Sequence, residues 1–248
     1  MPVSRVPDPA RFDALLDGLA QRLGHHFLDR TLLERAMAHR SWCAEHPGNP
    51  SNERLEFLGD AVLGWVIADR VYREHQELAE GKLTDLRKSV VNATALAERA
   101  RAIELGPCLL LGKGERAAGG NDKPSILSDA FEAVIGAVYL DGGVVAASAL
   151  IHRLFADLLD RAVAQLGRLD FKTMLQELTA RMYEMAPTYL VVDTGPEHEK
   201  TFTATVLVAG EAIGVGVGRS KKLAEQAAAA TAYDHLIANV AEASTPDA

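Results

Sequence analysis

The sequence predicts an all-α domain followed by a small α+β domain in the order helix, three strands, helix. Apolar residues recur at helical spacing from Phe12 to about residue 166, whereas from Gly167 onward short alternating runs appear between two further helices. The chain has 248 residues and 48% hydrophobic content, enough for one large core or for a larger and a smaller one. The change of pattern favours two. It sets the boundaries at residues 1–166 for the helical domain, 167–169 for a linker, 170–240 for the second domain and 241–248 for a tail.

Asp8-Pro9 supplies an N-cap and a first-turn proline, and Phe12, Leu15, Leu16, Leu19 and Leu23 follow at helical spacing. Asp29 is placed to cap a second helix through Ala38, which leads into His39-Arg40-Ser41-Trp42. An isolated histidine at a helix end is read as structural, so His39 is assigned no catalytic role. Cys43 to Ser51 is a loop by its Pro47, Gly48, Asn49 and Pro50, and Asn52 is placed to cap a helix running to about Arg73. Glu77 to Thr84 turns the chain into a helix from Thr84 to Ala102, with Leu86, Val90, Val91, Leu96 and Ala97 inside. The glycine-rich stretch from Gly112 to Pro124 lacks the register of a phosphate-cradling loop and reads as a plain connection. An apolar helix from Ser125 then ends at Asp141-Gly142-Gly143, followed by a last helix over Val144 to Gln165.

In the second domain, Lys172 to Met185 reads as a helix, and Thr188–Thr194, Thr201–Ala209 and Ala212–Val217 as strands. Ser220 caps an alanine-rich helix to about Asn239.

The chemistry concentrates in two acidic stretches. Glu53, Glu56 and Asp60 stand at i, i+3 and i+7, within roughly 60 degrees on one helix face, among Leu55, Phe57, Leu58, Val62 and Leu63. Asp129 and Glu132, at i and i+3, lie in the even more apolar helix from Ser125. Like charges on largely buried helices repel and resist desolvation, so they call for a compensating cation. Magnesium, a hard ion that prefers carboxylate oxygen and water, is the natural candidate. Gly59 and Gly136 would let the two helices approach closely, at about 1 kcal/mol of helix propensity each. The outline is a two-metal site.

A formal net charge of -8 and a pI near 5.5 argue, taken alone, against a nucleic-acid binder. Cys43 and Cys108 are the only cysteines, in neither a C-x-x-C pair nor a disulfide framework, which fits a reducing compartment. With no basic-then-apolar leader and no run of about 18 apolar residues, the expectation is a cytoplasmic protein without a membrane partner.

Asn52 to Asp60, N-E-R-L-E-F-L-G-D, resembles the nine-residue signature of the ribonuclease III family, and Ser125 to Gly143 resembles that family's second acidic segment. Residues 170–240 resemble a double-stranded-RNA-binding domain, through Gly195-Pro196-Glu197-His198 and the run from Lys221 to Ala228. The likeness extends from about Phe12 to Leu236. It implies a divalent-metal-dependent endonuclease of double-stranded RNA, using Mg2+ with Mn2+ as a substitute, that leaves 5'-phosphate and 3'-hydroxyl ends and processes structured precursors such as ribosomal RNA. Glu56, Asp60, Asp129 and Glu132 would ligate metal, with Asp60 and Glu132 central to catalysis and Glu53 and Glu80 in supporting roles. It also implies a homodimer, which would offer one site per strand, with Phe57 as an aromatic knob entering the twin subunit.

For the duplex, Lys221 and Lys222 in the first turn of a helix suit phosphates, and Gln176, Glu177 and His198 suit successive minor grooves. Lys113 and Lys123 are further candidates for RNA phosphates. Between Asp170 and Val240 there are six Lys plus Arg against nine Asp plus Glu, so the basic charge is concentrated, not abundant. Two other classes compete. A pure RNA-binding scaffold would carry damaged acids, yet all four are present, and an all-helical nucleotide hydrolase would leave residues 170–240 unexplained.

Overall fold

A computed structural model describes residues 8–169, 171–196 and 199–243, and the chain divides into two compact units, Met1–Ala162 and Val163–Ala248. The first is helical. It comprises α1 (Pro9–Leu23), α2 (Arg30–Ala36), α3 (Arg40–Glu45), α4 (Glu53–Glu74), α5 (Glu80–Val90), α6 (Ala93–Ala102), α7 (Lys113–Ala117) and most of α8 (Pro124–Leu169). Leu16, Leu19, Leu63, Ile67, Leu86, Phe131 and Phe155 are fully buried in its core. The caps at Asp8 and Asp29 form as expected, accepting from the N–H groups of Arg11 at 3.1 Å and Thr31 at 3.0 Å.

Three local expectations are corrected. Asn52 does not cap α4: its own φ and ψ are already helical, and its buried amide donates to the Ala36 carbonyl at 3.2 Å, bracing the end of α2 against the start of α4. The single helix expected over Thr84 to Ala102 is two helices. Asn92 adopts an extended backbone and accepts from the Ala95 N–H at 3.1 Å, so its side chain starts α6 where a continuous helix would have run through it. The glycine-rich connection contains α7 and a 3-10 turn at Gly120–Asp122, with Lys123 paired to Glu115 at 2.5 Å.

Gly143, with φ 71 and ψ -171, breaks α8 where the sequence places a helix end. Asp141, just before that break, accepts from the N–H groups of Asp29 at 2.7 Å and Leu28 at 3.1 Å and lies 2.8 Å from His25 Nε2. Burial alone would raise its pKa, but these hydrogen bonds outweigh burial and hold it low, so its charge ties the α1–α2 connection to α8. Pro124–Ala164 is long and apolar enough, by length and composition, to cross a bilayer. In this fold its Ala130, Phe131, Val134, Ile135 and Val138 are buried in the protein core. The helical backbone continues through residues 167–169, where a linker is expected from the sequence.

The second unit contains α9 (Phe171–Tyr183), an antiparallel sheet of β1 (Thr188–Thr194), β2 (Thr201–Val208) and β3 (Glu211–Gly218) in that order, and α10 (Lys221–Ala243). Ala209 and Gly210, both at positive φ, make the two-residue turn between β2 and β3. β3 reads G-V-G-V-G from Gly214, and the glycines face the helix. A Cβ at Gly214, Gly216 or Gly218 would collide with the α10 backbone, so the buried Ala224, Ala228 and Ala232 pack directly on the strand. Val215 and Val217 are therefore the outward residues, 52% and 59% exposed.

Candidate active site

Gly59 of α4 and Gly136 of α8 stand where the two helices cross. A Cβ built at Gly59 would overlap the Glu132 carbonyl oxygen, and one at Gly136 would overlap that of Leu55. The backbones therefore meet more closely than any side chain at these positions would allow. Leu55 precedes Glu56 in α4, and Glu132 lies on α8, so this contact carries the acids of both helices to one place.

Glu56, Asp129 and Glu132 each offer a carboxylate oxygen within 4.8 Å of the others. All three are partly buried. Burial, and then the charges of Asp60, Asp129 and Glu56, push the Glu132 carboxyl up to about 8. Glu56 is raised in the same way, by burial first and then by Asp129 and Glu53, with Arg40 drawing it back. The cluster is thus destabilised by its own charge. Only oxygen donors are present, in the number and closeness that a hard divalent cation uses, so the residues fit such an ion.

Asp60 lies outside that group of three. It is exposed and lines an open cleft with Gly64, Trp65, Arg87 and Lys88, yet it is the largest charge acting on Glu132. Glu53 is also outside, 4.0 Å from Arg40 Nη1 and accepting from the Ser51 hydroxyl at 2.7 Å. Glu80 opens α5, exposed, and accepts from the Thr84 hydroxyl at 2.9 Å. Arg40, Arg87 and Lys88 escaped the sequence reading because nothing in their local spacing separates them from solvated cations; only the fold sets them beside acids. Phe57 is 81% exposed on α4.

In the second unit, Gln176 and Glu177 are exposed on α9, and Lys221 and Lys222 are exposed in the first turn of α10. Lys172 is held by Glu225 at 2.8 Å and lies over the Tyr189 ring, while Ser220 Oγ accepts from the Leu223 N–H at 3.3 Å and caps α10 as expected. His198 lies outside the described residues.

Residues 29–158 match the family model described as ribonuclease-III-like, and residues 171–236 match the double-stranded RNA binding motif. The chain is 56% identical over 219 residues to ribonuclease 3 of Streptomyces coelicolor, covering 88% of this chain and 78% of that one. It is 55% identical over 202 residues to ribonuclease 3 of Thermobifida fusca, covering 82% and 84%. Among solved structures, the nuclease domain of ribonuclease III from Campylobacter jejuni, described with structural flexibility in a region involved in dimer formation, is similar with a TM-score of 0.54 and 40% identity. It spans 57% of this chain and 96% of that one.

The raised Glu132 carboxyl has a consequence for stability. Because its folded value of about 8 stands above the ordinary 4.5, the carboxyl destabilises the fold increasingly as pH rises from the lower value to the higher. Without divalent metal, Glu132→Gln is therefore expected to be more stable than wild type by about 1–3 kcal/mol near pH 7.5, with the gap closing near pH 4.5. Thermal unfolding in chelator at both pH values checks this. A variant less stable than wild type near pH 7.5 would make Glu132 a structural residue.

Proposed function

The chain belongs to the ribonuclease III family and is a double-stranded-RNA endoribonuclease, and from that premise we propose that it works with Mg2+, or Mn2+ in its place, held by Glu56, Asp129 and Glu132 with Asp60 completing the set. The convergence of three carboxylates within 4.8 Å is the observation that carries this reading. Such an ion supplies Lewis-acid polarisation of the scissile phosphate and activation of water for in-line attack. Glu132 and Asp60 are the acids closest to the chemistry. Glu53 supports the site by orienting Arg40, and Glu80 supports it from the start of α5. Arg87 and Lys88 offset phosphate charge along the cleft that Asp60 lines. Products carry 5'-phosphate and 3'-hydroxyl ends, and structured precursors such as ribosomal RNA are the substrates.

Residues 170–240 hold the duplex, joined to the nuclease of residues 1–166 through 167–169. Lys221 and Lys222 take phosphates at the start of α10, where free backbone N–H groups add to their charge. Gln176, Glu177 and His198 address the minor groove. Free Cys43 and Cys108 suit a reducing cytoplasm.

The enzyme acts as a homodimer. Phe57, Ala61, Trp65, Ala68 and Tyr72 fall within about 80 degrees of one another on α4, an apolar stripe in which Phe57, Trp65 and Tyr72 are 81%, 53% and 71% exposed. An apolar stripe of this extent, on a helix that also carries the acids, suits a two-fold partner that brings a second site to the opposite strand.

Two experiments test this reading. With Mg2+, wild type is expected to cut duplex RNA and leave single strands and free nucleotides intact. Glu132→Gln is expected to lose several orders of magnitude in cleavage while keeping duplex binding. Cleavage at the wild-type rate in limiting Mg2+ would refute the ligand assignment. For the dimer, burying each Phe57 ring contributes about 2–3 kcal/mol, so Phe57→Ala is expected to dissociate at concentrations where wild type stays paired. Sedimentation velocity showing equal dimer fractions would remove Phe57 from the interface.

A further inference from the structure

His39 stands outside the acid cluster, yet its neighbours fix the state of its ring. The Ser41 backbone N–H donates to His39 Nδ1 at 3.2 Å, and the Ser41 hydroxyl lies 2.8 Å from the same nitrogen. That hydroxyl accepts from the Gly112 N–H at 3.0 Å, which leaves its own proton for the imidazole. A nitrogen that accepts carries no hydrogen, so the neutral ring carries its proton on Nε2. Among the described residues, the ring's hydrogen bonds all run to Nδ1. Nε2–H is a donor held in one orientation.

Ala38, the residue before His39, accepts from the Asn52 N–H at 2.9 Å, which sets the histidine beside the start of α4, where Glu53 and Glu56 stand. The charged groups acting on its ring are Glu115, Arg40, Asp129 and Glu53. Burial is the chief influence on its pKa and lowers it, with Arg40 adding to the effect and the three carboxylates opposing it. Each of those carboxylates has a partner of its own. Glu115 pairs with Lys123 at 2.5 Å, Glu53 accepts from Ser51 at 2.7 Å, and Asp129 lies 3.2 Å from the Ser128 hydroxyl. An RNA strand nearing the start of α4 brings oxygen acceptors of its own, and a neutral, oriented N–H beside Arg40 is suited to meet one of them.

We propose that His39 donates its Nε2–H to an oxygen of the RNA backbone and so helps hold the strand against the carboxylates of the metal site. This rests on the reading of the chain as a double-stranded-RNA nuclease and adds a substrate contact to it.

Asparagine and glutamine divide the two ring nitrogens between them. In His39→Asn the amide oxygen can accept as Nδ1 does, but nothing is offered at the Nε2 position, whereas in His39→Gln the longer side chain reaches that position with an N–H and gives up the acceptor near Ser41. On a short duplex RNA with saturating Mg2+, the full-length His39→Asn chain is expected to unfold at the wild-type temperature and to lose about 10- to 100-fold in kcat/KM. His39→Gln is expected to cleave faster than His39→Asn. The Mg2+ concentration giving half-maximal rate is expected to be the same in all three chains. Wild-type cleavage by His39→Asn, or a changed Mg2+ requirement as its main defect, would overturn the proposal. Should His39→Asn fail to fold, His39→Gln decides: cleavage near wild type sustains the contact, and cleavage as low as His39→Ala overturns it. A wild-type chain that leaves the duplex uncut would instead defeat the nuclease reading itself.

Discussion

The backbone contact between α4 and α8 fixes the distance at which the acids of the two helices meet. Helices packed through ordinary side chains keep their axes about 8–10 Å apart, and carboxylates on both would then have room to spread into water. With glycine at positions 59 and 136 the carbonyl oxygens of Glu132 and Leu55 take the space a Cβ would fill. Glu56, Asp129 and Glu132 are drawn into one partly buried group. The buried Leu55, Val62, Leu63, Phe131 and Val134 on the same helices supply the apolar contact that offsets this electrostatic cost.

The cost is visible in the carboxyls themselves. Burial weighs most on both Glu132 and Glu56, and neighbouring acids add to it in each case. Such a group is relieved by a proton or by a cation. The two compete for the same oxygens, so the strain that weakens the metal-free fold is also what the proposed ion would relieve. Asp60, outside the group of three but first among the charges on Glu132, contributes to that strain from the open cleft.

Much of this was legible in the sequence because periodicity and spacing are local properties. The acid stripe, the second acid pair, the two glycines beside them and the switch to alternating strands near Gly167 can each be read within a few residues. What escaped lies in contacts that residue spacing does not record. Asn52 looks like an N-cap, but its amide is drawn to the Ala36 carbonyl sixteen residues away. A continuous apolar face hid the break at Asn92, because the side chain there caps the second helix. In β3 the valines advertise a buried face, yet it is the glycines between them that meet α10, since only a bare backbone admits an alanine helix so closely. Helical spacing sets Glu53 beside Glu56, but Arg40 and Ser51 hold its carboxylate to one side. The state of the His39 ring depends on Ser41 and, through it, on Gly112, a residue from another part of the chain.

A crowded acid group that holds a proton on Glu132 near neutral pH is expected to exchange that proton for a divalent cation. Calorimetric titration of the full chain with Mg2+ near pH 7, in two buffers of different ionisation enthalpy, measures this directly. Release of close to one proton is expected for each chain that binds metal, with a much smaller release from Glu132→Gln. Binding without proton release, or the same release from wild type and Glu132→Gln, would contradict it.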